Sequence, residues 1–113
     1  MASSHELIVN RLRIRWTAEK RGRIYFMRSG LAVPINGTYP CDFGPGIKGM
    51  SDLFGFTLID GKPIITFIEV KTHTDTLRPE QKLFLDYMSS VGAEVFIARE
   101  DSSADGYRLD KWT

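Results

Sequence analysis

Cysteine is nearly missing from this chain: Cys41 is the only one in 113 residues. One thiol can form no internal disulfide and no cysteine zinc cluster, so a disulfide scaffold is excluded and a reducing compartment fits. Long apolar runs are missing too. No stretch approaches the roughly 20 residues that a membrane helix needs, and the start, Met1-Ala2-Ser3-Ser4-His5-Glu6, lacks the apolar core of a secretory signal. These absences predict a cytoplasmic protein with no membrane partner. Repeats and low-complexity tracts are absent. Net charge is also small, +1, and by itself does not announce a polyanion binder. A chain of this length reads as one domain, 1–113, with room for a single core. Any larger surface has to come from a partner or a second copy.

The charge is unevenly placed. Residues 1–50 hold eight Lys or Arg against three acids, whereas residues 51–113 hold seven against eleven. Arg11, Arg13, Arg15, Lys20, Arg21, Arg23 and Arg28 are interleaved with Trp16, Tyr25 and Phe26, as on a phosphate-contacting surface. Arg11, Arg15, Lys20, Arg21, Arg23 and the loop residue Lys48 are the candidate contacts. The alternative is a solvated helix face and turn.

Ser3 followed by Glu6 makes a capping box and predicts a helix over residues 4–16, with Ile8, Val9, Leu12 and Trp16 as its apolar stripe. Glu6 either caps that helix or looks into a site beside it. The alternation from Arg11 to Trp16 also fits a strand. A strand is expected over 23–28, extended by or paired with 31–35. Residues 36–49, rich in Gly and Pro, read as loop without regular structure, and they lack the ending of a P-loop. A second helix is expected from Pro79 to a stop at Gly92, with Phe84, Tyr87, Met88 and Val91 inward and Gln81 on the same face in the first turn. Residues 94–98 form a final strand, parallel to the one before the helix.

Between these lie the residues with the most chemistry. Residues 64–71 are apolar on both faces until Glu69-Val70-Lys71, as in a buried central strand, and Ile65, Phe67, Glu69 and Lys71 share one face. Residues 52–59 read as a second strand, joined to the first by Asp60-Gly61, a strong signal for a two-residue hairpin. A turn there pairs Ile59 with Lys62 and, counting back, sets Asp52 directly opposite Glu69. Two opposed carboxylates at the end of buried strands need a compensating cation, either Lys71 or a divalent metal. A four-residue loop keeps Asp52 on that face, opposite Lys71; a three-residue loop turns it away. In the simpler alternative, Asp52 caps a turn and Glu69 and Lys71 form a solvated pair. His5 and His73 lack the paired spacing of a zinc site and read as surface residues, while Tyr107 and Trp112 read as packing the C-terminus or a dimer contact.

Gly49-Met50-Ser51-Asp52, then Ile68-Glu69-Val70-Lys71, then Gln81 on the next helix, with Glu6 on the first, resemble the VRR-NUC family of the PD-(D/E)XK nuclease superfamily. Met50-Ser51 stands where Pro can precede the acid. The resemblance implies an α/β fold with a restriction-endonuclease-like αβββαβ core, a mixed β-sheet flanked by helices. It also implies that Asp52, Glu69, Lys71 and Gln81 are catalytic, and that Asp52, Glu69, the Val70 carbonyl and Glu6 hold Mg²⁺ or Mn²⁺. The expected activity is that of a homodimeric endonuclease for branched DNA such as four-way (Holliday) junctions, in DNA repair. Two further readings remain at this point: a catalytically silent nucleic-acid-binding module, and a metal-dependent phosphoesterase acting on nucleotides.

Overall fold

The computed structural model of the chain describes residues 3–26, 30–32, 37, 41–43 and 49–113. Its first element is opened by the expected capping box. The Ser3 hydroxyl accepts from the Glu6 N–H at 3.2 Å, and Glu6 reaches back to the Ser3 N–H at 3.4 Å. The helix that follows, α1, spans Ser4–Ala18 and buries Ile8, Val9, Leu12 and Trp16. A strand would have put Ile14 with Leu12 and Trp16, but Ile14 is exposed, so the helical period holds.

After α1 come β1 (Gly22–Phe26), β2 (Gly30–Ala32), β3 (Cys41–Phe43), β4 (Leu53–Ile59), β5 (Lys62–Lys71), α2 (Pro79–Ser90), β6 (Glu94–Glu100) and β7 (Tyr107–Lys111). Five strands form one sheet in the order β1-β4-β5-β6-β7. Only the β5–β6 pair is parallel, as the intervening helix predicts. The sheet is therefore mixed, with a helix on each face, and the fold is α/β.

Hairpin β4–β5 sets the register for everything at its open end. Asp60 has φ 52° and Gly61 has φ 76°, the two consecutive left-handed residues of a type I′ turn, which suits strands of right-handed twist. Ile59 accordingly pairs with Lys62 and Leu53 with Ile68. The alternating side chains of β5 divide the core. Ile68 and Val70 join Leu12, Trp16, Leu53 and Ala98 under α1. Phe67 faces the other way, with Phe84 and Leu85 of α2 and Val95. The Phe67 and Phe84 rings meet edge to face, centroids 5.1 Å apart.

Several expectations need correction. Residues 36–49 are not wholly irregular, because Cys41–Phe43 pairs antiparallel with Gly30–Ala32. Three-residue strands leave no period to detect. The segment 31–35 was expected to join β1; its described part lies in that separate ribbon instead, and residues 27–29 and 33–36 fall outside the description. Strand β7 was not foreseen. Its inward Tyr107 and Leu109 pack under α1, and Trp112 turns back to α2, where its indole N–H donates to Asp86 at 2.8 Å. On α2, Tyr87 and Val91 are exposed and Leu85 takes the buried position. The helix ends at Ser90, and Gly92, with φ 100°, turns the chain away just beyond its cap.

Gly49 brings the chain into β4 past the first turn of α2. Its φ is 83°, and an added Cβ would overlap the Glu80 carbonyl. Gly61 has a similar φ with nothing within 4 Å, so the pair separates backbone strain from collision. Gly61→Ala is expected to cost about 1–2 kcal/mol from the left-handed backbone alone. Gly49→Ala should cost measurably more, and urea unfolding of the two variants compares them directly.

Candidate active site

The open end of the β4–β5 hairpin is where the buried strand acquires charge. Strand β4 stops at Leu53, which leaves the N–H of Val70 without a backbone partner there, and the Asp52 carboxylate accepts it at 2.8 Å. Asp52 is thus fixed beside Glu69. Glu69 is 3 % exposed and Lys71 7 %, so this is not a solvated pair at a strand end.

Gln81, in the first turn of α2, joins the two. Its Oε1 accepts from the Arg78 backbone N–H at 3.0 Å and from the Lys71 ammonium at 2.9 Å. Both partners are donors only, which assigns the amide orientation: Nε2 faces Glu69 and donates to Oε1 at 3.2 Å. Lys71 Nζ lies 3.6 Å from the same Glu69 oxygen. The other carboxyl oxygen, Oε2, is buried with no hydrogen-bond partner. Burial, then the Asp52 carboxylate, push the Glu69 carboxyl up to about 8, and Lys71 pulls it only partly back.

A cleft of about 470 Å³ opens over this group, lined also by His5, Asp75 and Arg78. Asp75 is held by its own loop: its carboxylate accepts from the Thr72 N–H at 3.2 Å and hydroxyl at 2.8 Å. His5 was expected on the surface, yet its Nε2 lies 3.4 Å from Asp52 Oδ2. Glu6, expected beside the metal, is exposed, engaged in the capping box, and not among the lining residues. The helical wheel carried this distinction. His5 precedes Leu12 by seven residues, a rotation only about 20° short of two full turns, whereas Glu6 is about 60° from Val9.

A sequence model of the VRR-NUC domain matches residues 38–101. The chain belongs to the VRR-NUC family. No curated protein gives a significant match. The matched span takes in Asp52, Glu69, Val70, Lys71 and Gln81, and gives this VRR-NUC chain a nuclease-type function. It leaves out α1 and β1 and, with them, most of the basic stretch.

Of the expected phosphate contacts, none of the described ones, Arg11, Arg15, Lys20, Arg21 and Arg23, lines the cleft. Arg15 pairs with Glu19 at 3.5 Å and Asp105 at 3.0 Å, and Arg11 donates to the Asp105 carbonyl at 2.6 Å. Arg21 lies over the Trp16 ring, 3.9 Å from its centroid. Lys20 occupies the turn after α1, Arg23 stands on β1, and Lys48 lies outside the described residues. Among the described residues the basic side chains that line the cleft, besides Lys71, are Arg78 and His5. Arg78 was marked only by its place just before Pro79, at the helix start.

Among the described residues no three His, Cys, Asp or Glu side chains form a ready ligand set. The donor chemistry still suits a hard divalent cation. Two adjacent carboxylates, one with a buried oxygen lacking a partner, are oxygen ligands in want of positive charge.

The raised Glu69 carboxyl has a consequence for stability. Its folded value is above the ordinary 4.5, so between that value and about 8 the folded state binds more protons than the unfolded one. Its contribution is fully present below the lower limit and lost as pH rises through the upper. The melting temperature of the metal-free protein should therefore fall from about pH 5 to pH 8. Glu69→Gln should flatten that slope, and a slope unchanged in the variant would show that other groups carry it.

Proposed function

We propose that this VRR-NUC chain is a metal-dependent DNA endonuclease that hydrolyses phosphodiester bonds, with branched DNA, four-way junctions included, as its substrate and a homodimer as its active form. The observation that carries the reading is the Asp52–Glu69 pair at the open end of the hairpin, with a buried carboxyl oxygen lacking a partner and Lys71 and Gln81 against the same group.

Asp52, Glu69 and the Val70 carbonyl are the groups that would hold Mg²⁺ or Mn²⁺. When bound, the ion offsets the two carboxylates, draws charge from the reacting phosphate and acidifies the attacking water. Asp52 is oriented by the Val70 N–H. Lys71 brings a compact cation on a nearly buried stem, placed to stabilise charge developing on the phosphate oxygens. Gln81 holds the Lys71 ammonium and the Glu69 carboxylate at fixed separation, so it positions rather than reacts. Arg78, whose side chain is 66 % exposed, stands at the rim where a flanking phosphate would pass.

Size supports the dimer and the branched substrate. The cleft has room for the reacting phosphate and its nearest neighbours, and recognition of a branch requires surface beyond it.

Labelled four-way junction, flap and linear duplex DNA should be cut in Mg²⁺ or Mn²⁺ and not in EDTA. Glu69→Ala or Asp52→Ala should reduce cutting by at least about 100-fold, and Gln81→Ala by about 10–100-fold, with circular dichroism confirming the fold. Cleavage that survives Glu69→Ala, or no cleavage with either metal, would overturn the assignment. Sedimentation velocity of the same samples tests the dimer.

A further inference from the structure

A second concavity, of about 750 Å³, runs between α1 and the edge strand β1. One wall is the row Asn10, Arg13, Ile14 and Thr17, and the other includes Arg23 and Tyr25. Helical spacing puts the first four on one face of α1, turned away from the row that bonds to the 105–107 segment. Among the described residues the lining holds two arginines and no acid.

Among the described residues the ion pairs of this basic stretch belong to Arg15, and none forms to Arg13 or Arg23. The Arg13 guanidinium lies over Phe26, 4.8 Å from the ring centroid, while its Nε is buried with no hydrogen-bond acceptor. A desolvated guanidinium N–H lacking an acceptor is unfavourable, and phosphate oxygens match its geometry. Tyr25 is 46 % exposed and leans on Phe54 with ring centroids 5.8 Å apart, which leaves ring surface for a sugar or base.

Position ties the groove to the cleft. Tyr25 pairs with Phe54 across β1 and β4, and Asp52 is two residues back along the same line. Two strand rises and one strand spacing put the end of the groove within about 10 Å of the carboxylates. DNA rises about 3.4 Å per nucleotide of each strand, so a strand reacting in the cleft passes the groove about three nucleotides away. We propose that the α1/β1 groove grips the backbone of the DNA strand entering the cleft, with Arg13 and Arg23 on its phosphates and Tyr25 against a sugar or base. This rests on the nuclease reading for its ligand.

The test is binding of labelled junction and linear DNA by the full chain in EDTA, followed by anisotropy across a salt series. Arg13→Gln with Arg23→Gln should weaken binding at least tenfold and make the log–log salt slope shallower by about 2, one unit for each phosphate no longer neutralised. Arg11→Gln with Arg15→Gln, whose residues face Asp105, should stay within about twofold of wild type. Should the first pair unfold the protein, Arg23→Glu alone, on an exposed and unpaired side chain, decides, with the same tenfold loss expected. Unchanged affinity and slope in the groove variants, failure of the wild type to bind DNA, or a shift from dimer to monomer on Arg23→Glu would overturn the proposal. Binding and cleavage report separately: a wild-type chain that binds through the groove and cuts nothing sinks the hydrolytic reading alone.

Discussion

In the β4–β5 hairpin two consecutive left-handed residues, Asp60 and Gly61, reverse the chain, and a side-chain period of two then transmits that choice to the far end of both strands. Leu53 meets Ile68, so Asp52 meets Glu69, and Lys71 falls on the same face as Glu69. One residue more in the turn would carry Asp52 to the α1 side, among Leu12, Trp16 and Ile68. The site is therefore specified remotely, by the geometry of a turn that touches none of its members. The exposed, charged turn can vary only within types that keep the parity.

What the register brings together is unfavourable by itself. Glu69 is buried next to another carboxylate, and its proton is retained well beyond the usual range because the charged form lacks enough compensation. Lys71 and Gln81 satisfy one oxygen and leave the other without a partner. An apolar pair would pack here without this conflict. A core that tolerates the conflict at one end of its central strand, while the rest of β5 is filled by Phe67, Ile68 and Val70, has the pattern of a site maintained for chemistry. Gly49 belongs to the same economy of space, since it lets the entry to β4 pass the helix turn that carries Gln81.

Much of this is legible in the sequence for a physical reason: the decisive signals are short-range. The Asp60-Gly61 turn, the apolar run before Glu69, the Ser3–Glu6 box and the Pro79 start are read within a few residues, and periodicity carries each one outward. Signals failed where period or context was lacking. Cys41–Phe43 is too short to show alternation. Strand β7 had alternation, with Tyr107 and Leu109 inward, but its charged neighbours suit an edge strand and resemble a polar tail. Glu6 is expected as a ligand through the family resemblance, not through its helical angle, and in the structure it is exposed and held in the capping box. The basic residues were the least legible, because charge alone does not say which arginine is already spent on a carboxylate. Asp105, far along the chain, engages Arg15 through its carboxylate and Arg11 through its main-chain carbonyl, and among the described residues no acid pairs with Arg13 or Arg23.

Charge is consequently divided between two adjoining surfaces. The cleft presents Asp52, Glu69 and Asp75 near Lys71 and Arg78, so a polyanion entering it meets acids beside the cations. Among the described residues the groove along α1 presents two arginines and no acid. On the nuclease reading this division orders the approach of DNA. A strand is attracted first to the groove, at a range set by a screening length of about 8 Å in physiological salt. On the metal-dependent reading, a divalent ion held by Asp52 and Glu69 would offset the carboxylates that a phosphate approaches in the cleft. Metal dependence would then act at two stages, seating the phosphate as well as breaking its bond. The groove needs no metal for its part.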